Sequence, residues 1–212
     1  MKVLPTFSYE LDAWGKGWQA VAGLDEVGRG AFAGPVVTAA VIFSPHYKFK
    51  NSLLNSIDDS KRLSAQKREA LADLIKQEAL CYSTTEVSLC VINEVGIGKA
   101  AQKSFQNSAQ DLCHAYDFLL TDAFPVEGID RSIQIPIVHG DRLSISIAAA
   151  SILAKVFRDR EMATLHSKFP EYGFDTNMGY GTAYHRKQIT QFGLSPAHRT
   201  SFNLQRYSKP AS

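Results

Sequence analysis

The spacing of apolar residues changes period several times along the chain. "AVAGLD" (residues 20–25) and "PVVTAAVIF" (35–43) are short, Val-, Ile- and Ala-rich runs bounded by Gly and Pro, the pattern of buried strands. A polar stretch with Pro45 follows, and Ser64 is placed to cap a helix running to about Ala79, with Leu71, Leu74 and Ile75 as its buried stripe. "CYSTTEVSL" predicts a strand. The next segment predicts a helix interrupted near Gly96 and Gly98 and continuing toward Ala115. "FLLTD" predicts a short strand ending at Asp122, and "IQIPIVHGD" another ending at Asp141. "SISIAAASILAKVFRDREMATLHSKF" is the longest helical segment. Ala150, Leu153, Ala154 and Phe157 fall on one buried face, and Ser151, Lys155 and Asp159 on a polar one. A Gly-rich loop, "PEYGFDTNMGYGTAY", leads into a short helix from Thr182 to Phe192 and an irregular tail. Strands in a meander first, then strands alternating with helices, predict an α/β fold with a mixed sheet flanked by helices.

Composition narrows the class. Hydrophobic residues make up 45% of the 212, enough for a core of one domain. No apolar run approaches the roughly 18 residues that span a bilayer. Glu10 and Asp12 arrive too early for a signal peptide, so a cytoplasmic protein is expected. Cys81, Cys90 and Cys113 form no CxxC pair and are odd in number, so buried thiols are expected rather than a disulfide or zinc site. Net charge is only +2, but residues 1–154 hold 14 Lys/Arg against 17 Asp/Glu, and residues 155–212 hold 9 against 4. A basic C-terminal part beside an acidic body suits either a polyanion, met by the acidic part through metal ions, or an uneven but solvated surface.

Asp25, Asp122 and Asp141 each sit at or just past the predicted end of an apolar strand, and Glu26 adjoins the first. Strand ends of an α/β sheet share an edge where ligands bind. Four hard oxygen ligands there predict a site for Mg²⁺ or Mn²⁺, because adjacent carboxylates without a cation repel one another. Each Asp alone has the plainer reading of a turn former. Asp159 competes with Asp141, but it lies about 20 Å along a helix that starts near Ser144. It is therefore read as an exposed ion pair with a neighbouring Arg.

"GLDEVGRGAFAGPVVTAAV", "DDSKRLS", "LLTDAF", "HGDRLSISIAAASILAKVFRDREM" and "GYGTAYHRKQITQFGLSPAHRTSF" resemble, in order, the motifs of the bacterial ribonuclease HII family, across about residues 20–203. The resemblance implies an RNase H-like catalytic domain, taken as residues 1–170, with a C-terminal substrate-binding loop and helical segment over 171–212. It implies an endonuclease that cuts the RNA strand of RNA/DNA hybrids, and 5′ to single ribonucleotides in duplex DNA, for ribonucleotide and RNA-primer removal. It also implies that Asp25, Glu26, Asp122 and Asp141 bind metal, that Gly28, Arg29 and Gly30 recognise the ribonucleotide, and that Tyr180 stacks at the RNA–DNA junction.

The residues suit those roles. Glycines let the backbone approach a minor groove and reach a 2′-hydroxyl, and the fork of Arg29 can hold a phosphate. Lys61 and Lys155 are candidate phosphate contacts, with solvated lysines as the alternative. His185 and Arg199 fit either a backbone-tracking surface or, for His185, an anchor for the last helix. Met178 stands where many relatives carry Lys. The 24 residues before Asp25 and the intact GRG speak against the sister ribonuclease HIII family. A monomer without protein partners is expected. The rivals are a metal-dependent DNA nuclease or integrase of the same fold, which needs no 2′-hydroxyl reader, and a non-catalytic hybrid-binding module, which predicts a missing carboxylate.

Overall fold

The computed structural model describes residues 4–47, 57 and 64–207. Five strands form one sheet in the order β3-β2-β1-β4-β5. Strands β1 (Val21–Val27), β2 (Val36–Ile42) and β3 (Cys81–Val87) make the antiparallel meander, and β4 (Phe118–Asp122) and β5 (Gln134–Ile137) add parallel to it. Interior strand β2 is buried along its whole length, as an all-apolar run with a single Thr demands when helices cover both faces.

Helices α1 (Ser8–Gly15), α2 (Ala65–Glu78) and α4 (Ile145–Lys168) lie on one face, and α3 (Leu89–Gln110) covers the other. The caps follow the sequence. Ser64 accepts from the Lys67 amide at 3.3 Å, and Ser144 from that of Ile147 at 3.2 Å. Helix α3 breaks at Gly96, whose φ of 80° leaves the helical region. It ends at Gln110, short of Ala115. Short α5 (Phe174–Asn177) and then α6 (Ala183–Phe192) pack onto the far part of α4 through Met162, Tyr172, Phe174 and Ile189. No helix among the described residues is long and apolar enough to cross a membrane.

Two features place α4 against the sheet. A Cβ at Gly23 would overlap the backbone of Ser146 and Ile147, so β1 touches the start of α4 with nothing between them. Glu10 of α1 is fully buried and accepts from Ser144 Oγ at 2.6 Å and the Ser146 amide at 2.9 Å, an anion at a helix N-terminus. Burial nevertheless pushes the Glu10 carboxyl up.

Three expectations need correction. Strand β5 ends at Ile137, and Asp141 lies in a following 3₁₀ turn, Gly140–Arg142, entered through His139 with φ 58°. Cys81 and Cys113 are disulfide-bonded, with Cα atoms 5.9 Å apart, and Cys90 is an exposed free thiol. Residues 32 apart in sequence meet because the end of α3 packs on β3, where Ser83 Oγ donates to Ser108 O, and cysteine spacing does not reveal this. Asp159 is largely buried between Lys155 and Arg68 of α2, at 3.2 Å from the latter, rather than paired outward with an adjacent Arg.

Candidate active site

The neighbouring ends of β1 and β4 and one flank of α4 enclose a cleft of about 470 Å³. Asp25, Glu26, Asp122, Ser151, Lys155 and Tyr180 line it. Asp25 and Glu26 occupy the fifth and sixth positions of seven-residue β1, so they point to opposite faces of the sheet. Gly23 and Asp25 face α4, whereas Ala22, Leu24 and Glu26 lie on the α3 side. Both carboxylates reach the cleft because it opens at the sheet's end, where two faces meet one space. The parallel register that pairs Leu24 with Thr121 sets Asp122 beside Asp25 on the next strand.

Each carboxylate has protein partners. Asp25 Oδ1 accepts from the Glu26 amide at 2.8 Å, and Ser151 also hydrogen-bonds this carboxylate. Glu26 meets Arg29 at 3.4 Å. Asp122 Oδ1 accepts from the Gly140 amide at 2.7 Å, which ties the end of β4 to the turn carrying Asp141. Asp141 is almost fully buried, and its charge acts on Asp25.

Burial, then Glu26, Asp122 and Asp141, push the Asp25 carboxyl well above the usual carboxylate range, against the Ser151 hydrogen bond. Glu26 is pushed up to about 7 by burial, and further by Asp122, against the pull of Arg29. Four acids this close favour a cation over mutual repulsion. Among the described residues no three acidic, His or Cys side chains already converge on one ligating point. As a set of hard carboxylate oxygens, the four acids fit Mg²⁺ or Mn²⁺.

The structure brings Asp25, Glu26, Asp122, Lys155 and Tyr180 to one cleft and places Asp141 next to it. Lys61 lies outside the described residues. Lys155 lines the cleft, but its ammonium is held by Asp159. Ser151 and Lys155 stand two to three turns into α4, so the site extends along the helix flank and is not confined to its N-terminus.

Gly28 has φ 95°, and a Cβ there would overlap the side chain of Arg158, so this position needs glycine. Gly30 opens onto free space. Arg29 stacks over Phe124 at 4.6 Å. Arg199 and His185 are both 0% exposed, which corrects the reading of a backbone-tracking surface; among the described residues Arg186, Lys187 and Arg206 are exposed cations of this segment. Ser151 and Arg158 were missed, and Arg199 was given a surface role. A serine on the polar face of a helix and arginines inside basic motifs carry no sequence signal for burial.

Arg158 and Arg199 are both fully buried and donate to main-chain carbonyls. Arg158 reaches Ala33 O, Pro35 O and Met178 O at 2.9–3.1 Å. Arg199 reaches Arg29 O, Gly34 O and Pro35 O at 2.9–3.1 Å. Together they clamp the loop 28–35 from inside, carbonyls inward. Burial and the nearby Arg158 lower Arg199 to about 9, and burial also lowers Arg158. Arg158 also lies 5.6 Å from the Tyr180 ring centroid.

The Ribonuclease HII family profile matches residues 22–205. A ribonuclease HII of Syntrophus aciditrophicus is 45% identical over 204 residues, covering 96% of this chain and 93% of that one. The crystal structure of ribonuclease H2 from Pyrococcus horikoshii superposes with a TM-score of 0.71 at 25% identity, over 88% of this chain and 95% of that one. The Bst-RNase HIII structure in complex with Mn²⁺ shares the fold, with a TM-score of 0.69 at 19% identity over 93% and 71% of the two chains. A match spanning the sheet, the acidic cleft and the clamped glycine loop shows that this chain belongs to the ribonuclease HII family, whose members are nucleases.

Proposed function

We propose that this enzyme hydrolyses the RNA strand of RNA/DNA hybrids and cuts on the 5′ side of single ribonucleotides in duplex DNA, leaving 5′-phosphate and 3′-hydroxyl ends. The observation that carries this reading is the meeting of Asp25, Glu26 and Asp122 with Tyr180 in one cleft, beside the clamped Gly28-Arg29-Gly30 loop. Asp25, Glu26, Asp122 and Asp141 are the residues that would hold Mg²⁺ or Mn²⁺. Two such ions would supply an activated water and charge stabilisation at the leaving 3′ oxygen.

The chain's own residues do the rest. Carbonyls of the 28–35 loop face the buried arginines, which leaves the opposite side of the loop for the minor groove and its 2′-hydroxyl. Arg29 is half-exposed and can grip a phosphate while remaining close to Glu26. Tyr180 is 38% exposed, its ring open to a sugar on the DNA side of the junction. Ser151 orients Asp25. Lys155, released from Asp159, can meet a backbone phosphate. Residues 171–212 would serve as the substrate-binding segment of a catalytic part assigned to residues 1–170.

Matched duplexes with zero, one or many ribonucleotides, in Mg²⁺ or Mn²⁺, test this. Cleavage is expected for one and for many, 5′ to the single ribonucleotide. The all-DNA duplex is expected to be rejected by about 10⁴-fold, because a site built to bond a hydroxyl leaves polar groups unpaired without it. All-DNA cleavage at a similar rate would instead support the DNA-nuclease reading.

Asp141→Asn is expected to cost about 10²-fold or more in turnover. Asp159→Asn, which loosens the ion pairs that Asp159 makes with Lys155 and Arg68, is expected to cost less than about tenfold. The reverse order in steady-state rates would move the fourth ligand from the Gly140–Arg142 turn onto α4.

A further inference from the structure

His185 and His198 are 0% and 1% exposed and sit among Phe32, Tyr172 and Phe174. Their Nε2 atoms are 3.0 Å apart. His198 Nδ1 receives the Ser195 amide N–H at 2.9 Å and lies 2.9 Å from Ser195 Oγ. His185 Nδ1 lies 3.0 Å from the carbonyl oxygen of Tyr180.

These contacts permit one arrangement of protons. A backbone N–H can only donate, so His198 Nδ1 must accept. The single proton of neutral His198 is then on Nε2, and it points at His185 Nε2, which must accept in turn. The proton of His185 is therefore on Nδ1, where it donates to Tyr180 O. A second proton on either ring would set two N–H groups head to head or face the Ser195 amide with another donor. Burial opposes it too, and His198 is lowered to about 4. The pair forms a neutral, one-way chain from the Ser195 main chain to that of Tyr180.

We propose that His185 and His198 are positioning residues, which fix the main chain of Tyr180 so that its ring stands at the cleft. The Tyr180 main chain is otherwise tied to its own loop, through Tyr180 N–H to Asn177 O at 2.9 Å and Thr182 N–H to Tyr180 O at 2.8 Å. The histidine chain is what connects it to the 195–198 turn, beyond helix α6. The same turn leads directly into Arg199, the inner clamp of the glycine loop. One short segment, Ser195–Arg199, thus supports both surfaces that face the ribonucleotide. This proposal rests on the reading of Tyr180 as the junction contact.

Two measurements on the full chain test it. Ring ¹⁵N–¹H NMR, with assignments from His185→Phe and His198→Phe, is expected to show His185 as the neutral Nδ1–H tautomer and His198 as the neutral Nε2–H tautomer. The same tautomer on both rings, or averaged tautomers, overturns the chain even if a variant fails to fold.

The second measurement is kcat/KM for Tyr180→Ala, His198→Phe and the double variant, on a single-ribonucleotide duplex and on a long hybrid. His198→Phe keeps the ring and deletes the hydrogen bonds. It is expected to lose about tenfold more on the single-ribonucleotide duplex than on the hybrid, the scale of one or two hydrogen bonds. It should lose nothing further in the Tyr180→Ala background, since both changes act through one ring. His198→Gln, which keeps a donor near Nε2, is expected to recover most of the loss. Equal losses on both substrates, or additive losses with Tyr180→Ala, would make the pair merely structural. If Tyr180→Ala itself treats both substrates alike, the junction reading fails and this proposal falls with it. If Tyr180→Ala discriminates and His198→Phe does not, only this proposal falls.

Discussion

Asp122→Asn is expected to reduce turnover by at least about 10³-fold at saturating Mg²⁺ or Mn²⁺, the scale of losing one preorganised charge-stabilising group at a reacting phosphate. The fold is expected to survive. Asn has nearly the same size, and its Oδ1 can still accept from the Gly140 amide, the bond that joins the end of β4 to the Asp141 turn. Removing this charge also relieves both neighbours, because Asp122 is among the groups that push the Asp25 and Glu26 carboxyls up. The metal-free variant should therefore melt no lower than the parent while binding Mn²⁺ more weakly by calorimetry. Near-normal cleavage at saturating metal would remove Asp122 from the site, and a collapsed thermal transition would mean that its role is to hold the turn.

Arg199→Met is the substitution expected to cost most in stability. Met fills much of the space but leaves the carbonyls of Arg29 and Gly34 without the donor they now share, while Pro35 O keeps its bond from Arg158 Nε. Each buried group left unsatisfied costs about 1–3 kcal/mol, so a loss of about 3 kcal/mol is expected after relief of the repulsion with Arg158. For a chain of this length that is roughly a 10 °C fall in Tm. Arg199→Lys is expected to recover little, since a single ammonium cannot match a planar fork that serves three carbonyls. Activity should fall in both variants below the melting temperature, because the loop clamped is the one that carries Gly28, Arg29 and Gly30. A Tm within about 2 °C of the parent for Arg199→Met would show that water or a neighbouring donor satisfies these groups, and that the clamp is not what shapes the loop.

Local signals in the chain were enough for most elements and for the acidic part of the site. The caps at Ser64 and Ser144, the break at Gly96 and the run through β2 all act within a few residues, where side-chain chemistry and backbone geometry are directly coupled. Asp25, Glu26 and Asp122 were legible because charges placed within or at the end of apolar strands conflict with burial unless the sheet brings them to a shared opening. The family motifs pointed to Gly28 and Tyr180 as candidates, but not to what holds them. That depended on contacts across long separations: Arg199 to Arg29, 170 residues apart, and Arg158 to Pro35, 123 apart. Arg199 in "AHRTSF" has the same chemistry whether it lies on a basic surface or inside the protein. Only the packing of α6 and the 195–198 turn over the glycine loop removed it from water and aimed it at carbonyls. The same holds for His185 and His198. Their sequence admits a surface pair, a metal pair or a buried pair, and the tertiary structure selected one by placing an amide N–H at one end and a carbonyl at the other, which determines where each proton must sit.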